Sequence, residues 1–390
     1  MMGTPGIVFF VFGSLALLVF TALIQFVFNP LGLGPEPDRV LKESFFTTPA
    51  DNLSDLELLI DGKEAFDAAL GAIGRAGKTV FVQTFIWKDD NIGKKVVKAL
   101  ISAADRGVKV TVKKDALGTF FELGDIIKGR PSPVFANSGF KEHKNISVKV
   151  DPLSDNDHSK YFIIDDDTVL LGGMNIADEY HNEWHDYMVR LKSRRWEPAF
   201  ADKVLRSAPW PEGAPYVLAT NDRRATEIRT AILQIIDHAR QRIILEHAYF
   251  SDSKVISAII RATKRDVQVD IVLPKNPDTH LYANMATINR LLESGRTGKL
   301  NVYIFPKMTH AKVALVDQTI AAVGSANLTP RSMLTTREAT LFIHGSNDDP
   351  FIKRLRGQLE ADIALSERVT GPFKLTIKER LGAVAGKYIW

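Results

Sequence analysis

The spacing of apolar and polar positions divides the chain into one long apolar run and a body where strand-like and helix-like stretches alternate. Gly6–Phe28 is 23 residues without a charge. As a helix it would span roughly 35 Å, enough for a bilayer core. It lacks the basic n-region and small-x-small site of a cleaved signal peptide, so it is expected to be a retained single-pass anchor. No Lys or Arg precedes it and the first after it is Arg39, so basic residues do not code its orientation. Pro30, Gly32, Gly34, Pro35 and Pro37 then mark Asn29–Asp51 as an irregular linker.

The body opens with a strand at Leu56–Ile60. The spacing of Phe66, Leu70 and Ile73 predicts a helix over Gly62–Ala76. A core strand is expected at Thr79–Trp87, a helix at Ile92–Arg106 and a strand at Val108–Val112. This order argues a parallel α/β sheet. Asp115 and Gly118 follow at a strand end, where α/β ligand sites lie, although a plain turn is the favoured reading of them. Phe120, Phe121, Ile126 and Ile127 suit a helix beside a site or a lipid-facing flap. After a Pro- and Trp-containing crossover at 193–222 the plan returns. Helices are expected at Thr226–Arg240, Val255–Lys264, Asn284–Glu293 and Pro350–Leu365, with strands at Arg242–Phe250, Val267–Leu273, Leu300–Phe305 and Ala339–Ile343. In the tail, Ile377, Leu381, Val384 and Tyr388 share a helical spacing, with Lys374, Lys378, Arg380 and Lys387 elsewhere. Such a helix suits either an anionic membrane or docking on the body.

The strongest signal is an internal repeat. His158–Asn175 reads HSKYFIIDDDTVLLGGMN and His310–Asn327 reads HAKVALVDQTIAAVGSAN. His158, Lys160, Asp165, Gly172 and Asn175 recur 152 positions later as His310, Lys312, Asp317, Gly324 and Asn327. Asp186 and Glu338 repeat at the same offset, each 28 residues past its histidine. Each copy reads as strand, turn, strand. Residues two apart on a strand face one way, so each histidine projects beside a lysine, an arrangement suited to an anionic substrate. Asn175 and Asn327 offer neutral donors.

Composition changes the picture little. The 390 residues suffice for two domains or a two-lobed enzyme, and a net charge of +4 with pI near 9.0 fits an anionic partner. The absence of cysteine removes disulfides, thiol nucleophiles and thiolate metal sites. His181 and His185 stand four apart but outside an H-E-x-x-H pattern, which makes them polar surface or pocket-rim residues rather than a metal pair. Neither repeat carries a carboxylate-rich Mg²⁺ or Ca²⁺ set, so no metal and no cofactor is expected.

The doubled H-x-K-x4-D with its GG/GS-x-N turn resembles the phospholipase D superfamily. GGMNIADEY at Gly172–Tyr180, followed by Trp184 and Asp186, and HAKVALVD with GSANLTPRS, ending at Ser332, look most like its bacterial-type cardiolipin synthase branch. The resemblance covers about residues 55 to 370. It implies an α/β fold of two similar halves, with mixed, largely parallel sheets flanked by helices, related by a pseudo-twofold axis and preceded by a transmembrane helix. The expected segments are an anchor (1–28), a linker (29–51), a first half (52–205), a second half (206–370) and a basic amphipathic tail (371–390).

By resemblance the catalytic set is His158, Lys160, Asp165, His310, Lys312 and Asp317. One imidazole attacks phosphorus and the other serves as acid and base. His158 is taken as the nucleophile. Asp165 and Asp317 fall on the opposite strand face and read as scaffold within the motif. Asn175, Asn327 and Ser325 would bind substrate, and Asp186 and Glu338 would orient the imidazoles. Relatives commonly carry Arg where His185 stands, and Thr-Pro-Tyr-Phe where this chain has His247-Ala248-Tyr249-Phe250. His247 is expected at a core edge or rim. The implied function is phosphatidyl transfer to a lipid alcohol, with phosphatidylglycerol as substrate and the bacterial inner membrane as location. With water as acceptor the same machinery is a phospholipase D. With nucleic acid it is a nuclease, against which stand the anchor and the lack of a basic–aromatic cluster. A scaffold without activity is disfavoured because both motifs are intact.

Overall fold

The computed structural model describes residues 33–151 and 156–389. The expected anchor lies outside them, and among the described residues no helix is long and apolar enough to cross a membrane. The first sheet is built from β1 (Leu56–Ile60), β2 (Thr79–Thr84), β3 (Lys109–Asp115), β4 (Ile146–Asp151), β5 (Tyr161–Ile164), β6 (Thr168–Gly172) and β7 (Tyr187–Lys192). The second contains β8 (Tyr216–Asn221), β9 (Arg242–His247), β10 (Gln268–Pro274), β11 (Leu300–Phe305), β12 (Lys312–Val316), β13 (Ile320–Gly324), β14 (Glu338–His344) and a short β15 (Glu367–Arg368). The spatial orders are β1-β7-β6-β5-β2-β3-β4 and β8-β14-β13-β12-β9-β10-β11-β15. Strand for strand the halves correspond, with β15 added at one edge.

The sheets are mixed but not largely parallel. Parallel pairing joins only β2–β3–β4 and β9–β10–β11. The motif strands β5–β6 and β12–β13 are hairpins, and β7 and β14 add antiparallel to them after longer connections that carry the short helices Asp178–Asn182 and Pro330–Leu334. Expected helices appear at Asp61–Arg75, Asn91–Asp105, Glu227–His238, Ser253–Lys264 and Pro350–Leu365. Aspartates start three of them: Asp90 accepts from Gly93 N at 2.9 Å, Asp252 from Val255 N at 3.0 Å and Asp349 from Phe351 N at 2.8 Å. Phe66, Ile73, Val96 and Leu100 pack on the outer face of the first sheet. Ile228, Ile232, Val255 and Ile259 do the same for the second. The inner faces meet each other, Leu58, Ile163 and Val189 against Val313, Val323 and Leu341. The result is four layers, helix–sheet–sheet–helix, with β5, β6, β12 and β13 buried along their whole length.

Two flanking segments are better fastened than their composition suggests. Within the expected linker, Leu41 is fully buried in the second half's core, and the N–H groups of Val40 and Leu41 both donate to Gln234 Oε1 at 2.9 Å. The tail forms a helix, Ile377–Ile389, that docks on the helix Leu281–Ser294. Its glycines permit the approach: a Cβ at Gly382 would stand 3.0 Å from the Tyr282 ring.

Asp165 and Asp317 close the motif hairpins. Both have positive φ, 53° and 47°. Asp165 accepts from the N–H groups of Gly77, Lys78 and Thr79, at 3.0, 2.8 and 3.0 Å. Asp317 accepts from Arg240, Gln241 and Arg242 at 2.8, 2.7 and 3.0 Å. Each carboxylate thus ties its turn to the start of the neighbouring central strand. Asp165→Ala is expected to cost roughly 1–3 kcal/mol, read as a lowered urea midpoint, with activity per folded molecule retained.

Candidate active site

Each motif stands where a central strand begins, and each approach segment pairs with the opposite half. The N–H of His158 donates to the carbonyl of Arg337 at 2.9 Å, and that of His310 to the carbonyl of His185 at 2.7 Å. The residues that follow these carbonyls are Glu338 and Asp186. His158 Nδ1 accordingly lies 2.9 Å from Glu338 Oε1, and His310 Nδ1 lies 2.8 Å from Asp186 Oδ2. The acid that follows each histidine in sequence therefore orients the other half's histidine. An Nδ1–H given to a carboxylate leaves the lone pair on Nε2.

The four motif cations and imidazoles share one electrostatic site. Burial and then Lys160 lower the pKa of His158, with a further contribution from Lys312. Burial, Lys312, Lys160 and His158 hold His310 well below its ordinary value. Both imidazoles are therefore neutral near pH 7. Burial brings Lys160 down to about 7 and Lys312 to about 8. Each ammonium donates to the carbonyl of its own histidine, and Lys312 Nζ also lies 3.0 Å from His310 Nε2. Two lysines that, among the described residues, have no carboxylate in direct contact make a site prepared for an anion. Burial pushes Asp186 up to about 7 against the pull of Lys312.

Aromatic rings wall the imidazoles. Phe85 presents its edge to His158 at 4.9 Å, and Tyr180 does so to His310 at 5.0 Å. Trp184 lies 5.6 Å from His310. Asn175 braces this wall: its Oδ1 accepts from Ile86 N at 3.0 Å and its Nδ2 donates to Tyr180 Oη at 2.9 Å. Asn327 is buried, and its Oδ1 has no hydrogen-bond partner among the described residues. Ser325 donates to Glu338 Oε2 at 2.5 Å, and Ser332 donates to Oε1 at 2.7 Å. The structure thus directs the Ser325 hydroxyl at the orienting carboxylate.

Glycine stands at the equivalent position 173, where a Cβ would lie 2.5 Å from Asp186 Oδ1 and 2.6 Å from Oδ2. Gly173→Ala is expected to push Asp186 off His310 and lower turnover about 100-fold or more, with an unchanged circular dichroism spectrum. Equal activity would show that the carboxylate has room to move.

His185 departs from the surface or rim position expected of it. It is buried between the halves, with Nδ1 2.6 Å from Asp61 Oδ1 and Nε2 3.2 Å from Asp362 Oδ2. Glu246 adds a third carboxylate at 3.8 Å and also accepts from Thr309 Oγ1 at 2.5 Å. Against burial, the hydrogen bonds that its ring N–H groups donate to Asp362 and Asp61 raise His185 to about 11. His185, Glu246 and Asp362 are close enough to hold an ion, their ligand atoms lying within 4.8 Å of one another. Both ring nitrogens already face carboxylates, however, so the imidazolium itself fills the place of a cation. His181 lies apart, edge-on to Phe66 at 5.6 Å. His247 is buried beside Lys312 on the adjacent strand, and burial together with that ammonium lowers it to about 3. Asp115 is buried too and anchors the loop before His158, accepting from Asp157 N at 2.7 Å.

Sequence reasoning passed over Phe85, Tyr180, Ser332, Glu246 and Asp362. Tyr180 and Ser332 lie inside the motif strings and share the 152-residue offset, so their place in the repeat was a usable signal. Asp362 had none, because it sits in an ordinary amphipathic helix.

A family model described as "Cardiolipin synthase, PLD-like domain" matches residues 70–207 and 232–363, one match in each half. The chain is similar to a cardiolipin synthase of Clostridium perfringens, with 27% identity over 81% of this chain and 72% of the relative. It is also similar to the major cardiolipin synthase ClsA of Bacillus subtilis, with 29% identity over 81% of this chain and 70% of that one. Among solved structures, the phosphatidylserine synthase of Haemophilus influenzae superposes with a TM-score of 0.69 over 87% of this chain and 93% of its own, at 14% identity, a likeness of fold. With both halves matched and the doubled motif intact, the chain belongs to the cardiolipin synthase family of phospholipase D-like proteins.

Proposed function

We propose that the chain is a membrane-anchored phosphatidyltransferase that makes cardiolipin from phosphatidylglycerol. The observation that carries this is the pair of imidazoles, each with Nδ1 on a carboxylate of the opposite half, beside two buried lysines. The names of its relatives, cardiolipin synthases, supply the substrate class. The run Gly6–Phe28 would hold the site at the bilayer.

His158 is the nucleophile in this reading, because its side chain is 18% exposed and that of His310 only 4%. His158 Nε2 attacks the phosphorus of phosphatidylglycerol, and the bond to the glycerol oxygen breaks. The bound phosphate offsets the Lys160 and Lys312 charges that hold His310 down, so His310 takes a proton from solvent at Nε2 as the substrate binds and gives it to that oxygen. A second phosphatidylglycerol then presents its free hydroxyl. His310 takes the proton, the new P–O bond forms, and the P–N bond to His158 breaks. Lys160 and Lys312 hold the non-bridging oxygens, where charge builds. Asn175 and Asn327 act alongside, Asn175 through Tyr180 and Asn327 through its amide.

Detergent-solubilised full chain with labelled phosphatidylglycerol tests this by mass spectrometry. Cardiolipin and glycerol in equal amounts are expected. Phosphatidic acid as the sole product would make the enzyme a hydrolase, and no lipid product would overturn the reading.

A further inference from the structure

The C-terminal helix Ile377–Ile389 covers the helix Leu281–Ser294 with one face and leaves the other bare. The bare face carries Ile377, Leu381 and Val384, which are 80%, 67% and 59% exposed. They stand at helical spacing and form a single stripe. Lys374, Lys378 and Arg380 around it are exposed as well. Three large apolar side chains held in water beside cations have the composition of an interfacial helix.

Two further observations say what covers this stripe. The first is its place beside the site. Tyr282 packs against Gly382, while the adjoining His280 stacks on Tyr249 at 4.4 Å, and Tyr249 in turn meets His310 at 6.3 Å. The stripe therefore lies on the His310 side of the catalytic centre. On the His158 side, the segment after β3 occupies the place that helix Leu281–Ser294 has after β10. Its Phe121 is 40% exposed and meets Phe85 at 5.6 Å, and Phe85 meets His158 at 4.9 Å, so apolar surface flanks both histidines.

The second observation is where the N-terminal chain arrives. Gly34 is fixed to the second half by its N–H on the Asp222 carbonyl at 2.8 Å, and Glu36 pairs with Lys254 at 3.2 Å. The neighbouring Ser253 accepts from Lys387 of the C-terminal helix at 2.7 Å. Phe28 and Gly34 are six residues apart, a reach of at most about 20 Å. Resting on the proposed anchor at Gly6–Phe28, this brings the bilayer surface to the same side of the molecule as the C-terminal helix.

We infer that the stripe Ile377–Leu381–Val384 docks on the surface of the anionic bilayer that holds the anchor. The flanking lysines and Arg380 meet lipid headgroups, and the two histidines open toward lipids that need not leave the membrane. The C-terminal helix thereby sets the height and tilt of the catalytic body above the bilayer, which the anchor alone, through a single chain crossing, does not do.

The chain has no cysteine, so a single introduced thiol can be labelled without background. Full-length Leu381→Cys and Asp348→Cys carry a polarity-sensitive fluorophore and are reconstituted into phosphatidylglycerol–phosphatidylcholine vesicles with spin-labelled acyl chains. Asp348 is the reference, because it lies past the end of β14 that points away from the site and its side chain is 91% exposed. Strong quenching at position 381 and little at 348 is expected. Protein that floats with the vesicles but shows no more quenching at 381 than at 348 overturns the docking and leaves the anchor standing. Protein that fails to float overturns both. In a second arm, the double variant Ile377→Asp, Leu381→Asp is expected to lose roughly tenfold in turnover on vesicles. It should stay within about twofold of the parent on short-chain phosphatidylglycerol dispersed in detergent. Equal losses in both media, or none in either, would overturn the inference.

Discussion

His158→Ala is expected to abolish transfer, with turnover falling by about 10⁴-fold or more, and His310→Ala is expected to fall comparably with phosphatidylglycerol. The two variants part company on an activated substrate. A phosphatidyl nitrophenyl ester leaves as nitrophenolate and needs no proton, so the general acid is dispensable for the first step. His310→Ala should then release one equivalent of nitrophenolate per site and retain an acid-labile, base-stable phosphatidyl label. His158→Ala should do neither. The mirror-image result would exchange the two roles. Release without label from both variants would remove the covalent intermediate altogether. Exposure is the reason for this assignment: His158 is reached from outside, while His310 is closed in by Tyr180, Trp184 and Tyr249.

Lys160→Met is expected to lose about 10³-fold in turnover and yet melt at a higher temperature than the parent. A buried ammonium brought from an ordinary 10.5 to about 7 weakens the substrate-free fold by on the order of a few kcal/mol near neutral pH. The sign follows from proton counts. Above about pH 7 the folded lysine has lost its proton while the unfolded one keeps it up to about 10, so the unfolded state binds more protons and stability rises with pH across that window. The stability advantage of Lys160→Met should therefore be largest at or below pH 7 and shrink toward pH 10. A phosphate analogue such as tungstate should raise the melting temperature of the parent and leave that of the variant unmoved. If the two proteins melt alike at all pH values, Lys160 is solvated by something other than the substrate.

The halves were legible because their chemistry is repeated in sequence. A constant offset of 152 residues is a statement about two copies, and their strands indeed occupy matching places in the two sheets. Helix positions were legible from their apolar spacing, and Pro350–Leu365 appears with the bounds its pattern predicts. The exchange of acids between halves was not. Asp186 stands nearer His158 in sequence, and only the docking of the two sheets brings it to His310. His185 misled for a related reason. Its neighbours in EYHNEWHD are polar and suggest surface, whereas its partners Asp61, Glu246 and Asp362 come from three other elements. The largely parallel sheet was an overreach from one strand–helix–strand unit to the motif hairpins and the strands that pair antiparallel around them.

The exchange of carboxylates has a consequence for the life of the protein before it is complete. During synthesis the first half emerges with His158 in place but with its acid, Glu338, still 180 residues ahead. A half-made or half-melted chain would carry His158 without its Nδ1 partner, an imidazole whose tautomer nothing fixes. Each imidazole gains its carboxylate only when both halves have folded and docked, so the site is completed in a single event at the end of assembly.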